Sequence, residues 1–183
     1  MKRTKKSTMN YSHINEAPKS YSSGNIISRF IDGLAFRYYW ATEGLREEDL
    51  LFSPSEDAMS CRQTLEHMVW LSVMIKNAIM DKKCDRAINQ DFIEMTFSDL
   101  RTIFLANLEL ASVLARTKAE SDLEELRVII QSKDKEYFFP LWNMMNGPIA
   151  DALYHTGQIV SFRRSSGNPL PKGVNHLIGK GAL

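Results

Sequence analysis

With 183 residues, the chain has the length of one domain rather than two. A hydrophobic share of 44% beside 25% charged residues excludes a disordered, collagen-like or cystine-scaffold chain. Lys and Arg number 23 against 22 Asp and Glu, but Lys2, Arg3, Lys5 and Lys6 sit in one polar tail; without them the balance is 19 against 22, or −3, so nucleic acid is not an expected partner.

Cys61 and Cys84 form no CxxC or zinc-ribbon spacing, which points to a reducing, cytoplasmic setting rather than a secreted one. The basic start is followed by Ser7, Asn10, Ser12 and Asn15 instead of an apolar core, so a secretory leader is not expected. No run approaches the roughly 18 apolar residues of a membrane span.

Residues 1–24 read as a flexible N-terminal arm, with Tyr11, Ile14 and Tyr21 available to pack on a single helical domain over 25–183. From Ile26 to Gly44, Ile27, Phe30, Ile31, Leu34, Tyr38 and Ala41 recur at helical steps, and Gly44 is a stop signal. Leu45–Asp57 reads as a loop. Ser60 and Gln63 have capping-box spacing and open a helix to Met80, with Leu65, Met68, Val69, Ser72, Ile75 and Ile79 on one stripe. His67 lies beside that stripe.

A third helix is predicted over Asp91–Lys118 and a further one over Glu120–Ile130, followed by a solvated turn at Lys133–Glu136. Tyr137-Phe138-Phe139-Pro140-Leu141-Trp142 is an unusually apolar connector, suited to cover the bundle mouth or a homodimer interface. Asn146 as N-cap and Pro148 in the first turn start the last long helix, which ends by Arg164 before Ser165-Ser166-Gly167-Asn168-Pro169. Val174–Ile178 reads as one final turn or short helix. No strand alternation stands out. The expected fold is all-α, a four-helix bundle with long loops.

On the last helix, Asp151 and His155 are four residues apart and share a face, which Gln158 and Phe162 continue. With His67 from a second helix they make a candidate two-histidine, one-carboxylate site for a divalent ion; the competing reading is a hydrogen-bonded core histidine opposite a paired aspartate. Gln158 is placed to brace a ligand from behind. Glu66 points about 100° away from His67 and is not assigned. Glu43 and Tyr154 are weaker pocket candidates, while His13 and His176 fall outside the helix pair. Gly157 reads as a point of close helix approach. Arg163 and Arg164 read as partners of the helix C-terminus rather than anion ligands. Trp40, Trp70, Trp142, Phe30, Phe36 and Phe104 read as core or interface aromatics.

Thr64-Leu65-Glu66-His67 together with Leu153-Tyr154-His155-Thr156-Gly157-Gln158 resembles the DinB/YfiT-like superfamily, over roughly Ile26 to Arg164. The resemblance implies a four-helix bundle that holds zinc, nickel or another divalent ion through one histidine of the second helix and two, four apart, on the last. His67 and His155 match two of those positions. Asp151 stands where the other histidine is usual, exchanging a neutral nitrogen for an anionic oxygen. The resemblance further implies a metal-dependent hydrolase or thiol-dependent transferase, acting on a small-molecule substrate or thiol through a metal-bound water or thiolate. The alternative is a non-catalytic binding or dimeric interaction protein with a degenerate metal pocket.

Overall fold

Four helices of 16 to 21 residues dominate the described residues: α1 (Ser23–Thr42), α3 (Cys61–Ile79), α5 (Phe97–Thr117) and α8 (Ala150–Ser165). A short α2 (Glu47–Leu51) lies within the expected loop. The computed structural model describes residues 10–182, and the basic tail Lys2–Lys6 lies outside the described residues. Ser60 closes the predicted capping box, its Oγ accepting from Gln63 N at 3.2 Å while Gln63 Oε1 accepts from Ser60 N at 2.9 Å.

Side-chain contacts give the helix directions. Ser28 Oγ lies 2.8 Å from Ser112 Oγ and Arg101 reaches back to Thr42 and Glu43, so α1 and α5 run antiparallel. Asn107 donates to Ser72 Oγ at 3.0 Å and Arg62 to the Met95 carbonyl, so α3 and α5 run parallel. Phe162 packs on Phe52, just before α3, while His67 meets Asp151, so α8 returns antiparallel to α3. The stripes facing inward, among them Ile31, Leu34, Leu65, Met68, Phe104, Leu108 and Ile159, form one buried core. Gly24 is required at the α1–α5 crossing, because a Cβ there would come within 2.3 Å of the Ala115 carbonyl oxygen.

The all-α expectation is corrected by a three-stranded sheet, β1 (Lys83–Asp85), β2 (Arg127–Ser132) and β3 (Lys135–Pro140), in the order β1-β2-β3. The strands β1 and β2 pair in parallel across the intervening helices, and β2 and β3 form a hairpin with Lys133 at φ 51° in its two-residue turn. Cys84 and Val128 are buried, and Cys84 Sγ lies 4.0 Å from the Val73 carbonyl of α3. The predicted helix over Glu120–Ile130 therefore stops as α6 (Glu120–Glu125), since the β-branched run Val128-Ile129-Ile130 pairs into the sheet. The apolar connector is β3 followed by α7 (Trp142–Met144).

Two helix boundaries also differ from the prediction. The Asp91–Lys118 helix is broken into α4 (Asn89–Ile93) and α5 by Thr96, whose capping box with Asp99 starts a new helix. Asn146 does not cap the last helix: the chain is already helical from Trp142, passes through a π-type turn over Met145–Ile149 with a kink at Gly147, and enters α8 at Ala150.

At the far end of α8, Arg163 is buried, not solvated. Its Nη1 donates to the carbonyls of Trp40, Ala41 and Glu43 at 3.0 to 3.1 Å, satisfying the open end of α1. Beside it Asp49 is fully buried and accepts from Arg46 N at 2.7 Å, Arg46 Nη2 at 2.9 Å, Asn168 Nδ2 at 2.6 Å and the Ser166 hydroxyl. Burial raises the Asp49 pKa, but these hydrogen bonds outweigh it and hold the carboxyl well below the usual range. On the arm, Tyr11 is buried, Trp40 Nε1 donates to the Ser12 carbonyl and Ile14 N to the Gly179 carbonyl, whereas Tyr21 is exposed. Val174–Ile178 forms a turn closed by the bridge Asn175↔Lys180.

Candidate metal centre

The stripe of α3 buries Thr64, Leu65 and Met68 and leaves His67 at its edge, facing the groove between α3 and α8. Across that groove the first two turns of α8 present Asp151 and His155, four residues apart and therefore on one side of the helix. His155 is buried, while the side chains of His67 and Asp151 are 36% and 43% exposed, so the site opens to solvent on one side.

The Asp151 carboxylate straddles both rings. Its Oδ2 lies 3.3 Å from His67 Nε2 and its Oδ1 lies 3.3 Å from His155 Nε2. One donor atom from each of the three residues falls within 4.8 Å of the other two. The rings of His67 and His155 meet edge to face at 4.9 Å, and Tyr154, largely exposed, lies edge-on to His155 at 5.5 Å.

The chemistry of this donor set fits a divalent cation. Gln158 Oε1 lies 2.6 Å from His155 Nδ1; a proton on Nδ1 satisfies that contact and leaves Nε2 as the nitrogen that can ligate an ion. In that tautomer His155 Nε2 and Asp151 Oδ1, 3.3 Å apart, are both acceptors, and a shared cation satisfies both. A His155 held from behind by an amide carbonyl is the arrangement in which outer groups orient metal-binding imidazoles.

The other candidates separate from the group. Glu43 is ion-paired with Arg101 on α5. Glu66 is held by Arg62 at 2.6 Å, and Arg62 also reaches the Met95 carbonyl, so the carboxylate faces α5 and not the groove. That pair went unread in the sequence, although its i,i+4 spacing was the available signal. His13 is exposed on the arm and His176 packs against Phe36. Phe162 joins Phe52 rather than the site. A Cβ on Gly157 would meet nothing within 4 Å, so the residue marks open space and not a close helix approach. Arg164 is exposed; of the aromatics expected in the core or at an interface, Trp40, Trp70, Phe36 and Phe104 are buried and Trp142 and Phe30 are exposed.

Both cysteines are free and buried, and burial pushes their thiols up, Cys61 to about 12 and Cys84 to about 11. Neither supplies a thiolate at neutral pH.

No protein-family profile and no curated protein matches the chain. Among solved structures it is similar to that of a DinB-like protein, YjoA, from Bacillus subtilis, with 14% identity, a TM-score of 0.56, and coverage of 80% of this chain and 95% of that one. The chain has a DinB-like fold. The likeness concerns the path of the backbone, and this chain is mostly helical with a small sheet attached. Within this DinB-like fold, the His67-Asp151-His155 group could hold a metal ion. No described helix is long and apolar enough to cross a membrane.

Proposed function

We propose that His67, Asp151 and His155 bind one divalent ion and that the protein is a metal-dependent enzyme, a hydrolase or a thiol-dependent transferase, built on a four-helix bundle of DinB type. The observation that carries this reading is the convergence of three donor atoms from two helices within 4.8 Å, on a side open to solvent. A divalent ion there supplies Lewis acidity to a bound water or thiol. Gln158 holds the tautomer of His155, Asp151 contributes the single negative charge, and Tyr154 forms an exposed wall beside the ring. Because both protein thiols are buried and poorly ionised, a thiol reaction needs a thiol brought in as co-substrate.

Two imidazoles suit zinc or nickel, and the carboxylate adds affinity for harder ions such as manganese. The direct experiment is metal content by elemental mass spectrometry after loading with a divalent panel. About one ion per chain, lost in folded His67→Ala and His155→Ala, is the expected result. No stoichiometric ion overturns the reading and favours a non-catalytic binding protein, whose support is that His67 Nε2 and Asp151 Oδ2, 3.3 Å apart, also suit a direct imidazole–carboxylate hydrogen bond without metal.

A further inference from the structure

A second concave site lies away from the histidines, where the first turns of α1 meet α6, the end of β3 and α7. It encloses about 480 Å³, within the range typical of small-molecule clefts. Ile27, Leu123, Leu141 and Met145 line it, and Ile26 and Trp142 stand at it more exposed than large apolar side chains normally are, Trp142 at 81%. None of the three candidate metal ligands belongs to this pocket.

Its charged groups are unbalanced. Glu120 and Glu124 sit one helical turn apart on α6 and both line the pocket. Glu120 accepts only a neutral hydroxyl, Ser23 Oγ at 3.3 Å, and no ion pair to Glu124 is present among the described residues. Arg127 also lines the pocket, leaving one cation against two carboxylates, and its Nη1 donates to the backbone carbonyls of Glu124 at 2.6 Å and Leu126 at 2.8 Å. An apolar floor, two carboxylates and an exposed indole face match one ligand chemistry, since an ammonium is attracted both to carboxylate and to the face of a tryptophan ring.

We propose that this pocket binds a small hydrophobic amine, its hydrocarbon body against Ile27, Leu123 and Leu141 and its ammonium at the Glu120, Glu124 and Trp142 rim. The inference stands independently of the metal site. Its concave shape favours a small molecule over a second copy of the chain, which needs a broad complementary face.

The test compares 4-phenylbutylamine with 4-phenylbutanol and 4-phenylbutyrate, matched in body and different in charge, by calorimetry and by tryptophan emission. Trp142 is the exposed tryptophan, since Trp40 and Trp70 are buried, so a blue shift on binding that is lost in Trp142→Phe reports this site. The amine is expected to bind about tenfold tighter than the alcohol, with the acid weaker still, and Glu120→Gln/Glu124→Gln is expected to erase that preference while binding of the alcohol persists. Equal binding of the three, an amine preference that survives the double substitution, or no binding by any member overturns the proposal. A concentration-dependent dimer that shields Trp142 overturns it in favour of a second copy. Circular dichroism of each variant ensures that a lost signal is not a lost fold.

Discussion

The two ends of α8 carry polar clusters of opposite character. At the C-terminal end, Asp49 and Arg163 are buried and every contact has a complementary sign: the carboxylate receives Arg46, Ser166 and Asn168, and the guanidinium meets three carbonyls at the end of α1 and just beyond it. At the N-terminal end, Asp151 sits half-exposed with a carboxylate oxygen 3.3 Å from Nε2 of each of two imidazoles. A cluster whose partners satisfy one another holds the fold together, whereas the half-exposed group is the one the proposed ion would bind.

The largest effect belongs to the satisfied end. Arg163→Ala leaves the buried carbonyls at the end of α1 without donors and should destabilise the protein by about 3–5 kcal/mol. Urea denaturation at pH 7 checks this. A loss under about 1 kcal/mol would mean that water replaces the guanidinium and that the two ends of α8 do not differ in kind.

Acid sharpens the same contrast. The hydrogen bonds to Asp49 hold its folded-state pKa below the unfolded value, so the stability it contributes is present above about pH 4 and is lost as pH falls through the folded value. Thermal melts of the wild type should thus fall steeply below pH 4, and Asp49→Asn, already lower at pH 7, should fall less over that interval. Parallel pH profiles would remove Asp49 from the account.

How much of this contrast was legible in the sequence depends on the range of the signal. The Ser60–Gln63 cap and the stripe of α3 are local patterns and appear where the spacing put them. The pairing of His67 with Asp151 bridges 84 positions, and helix periodicity offered only one face on each helix. That these faces meet was the condition of the candidate site, and the family resemblance implied the same meeting. The sheet was missed because β1 has three residues and β3, exposed along its length, shows no inside–outside alternation. Arg163 was misread because two arginines at a helix end match the helix-dipole pattern, while the carbonyls it serves belong to α1, 120 or more positions earlier. Thr96 was legible: with Asp99 three residues on, it has the capping-box spacing that splits the predicted long helix.

At the open end, Gln158→Leu keeps the helix but removes the acceptor for His155 Nδ1. Metal affinity should fall about 10–100-fold with little change in metal-free stability. Competition against a chromogenic chelator measures it, and an unchanged affinity would show that His155 needs no support from Gln158. Asp151→His should raise the ratio of zinc to manganese affinity, by replacing the one oxygen donor with a third imidazole.

The smallest expected effect is the most discriminating. Asp151→Asn removes a charge from a half-exposed position, so its metal-free stability should change by less than about 1 kcal/mol, unlike any truncation at Arg163. Added metal should then separate the two proteins. An ion that binds only the folded state raises stability by about 2.7 kcal/mol at a hundredfold excess over its dissociation constant, and that increment should appear in the wild type and shrink sharply in Asp151→Asn. If the metal-free loss instead matches that of Arg163→Ala, Asp151 is a structural bridge between α3 and α8, and the two ends of the helix do the same work. If the loss is small and metal stabilises both proteins alike, the ion is not held by this carboxylate.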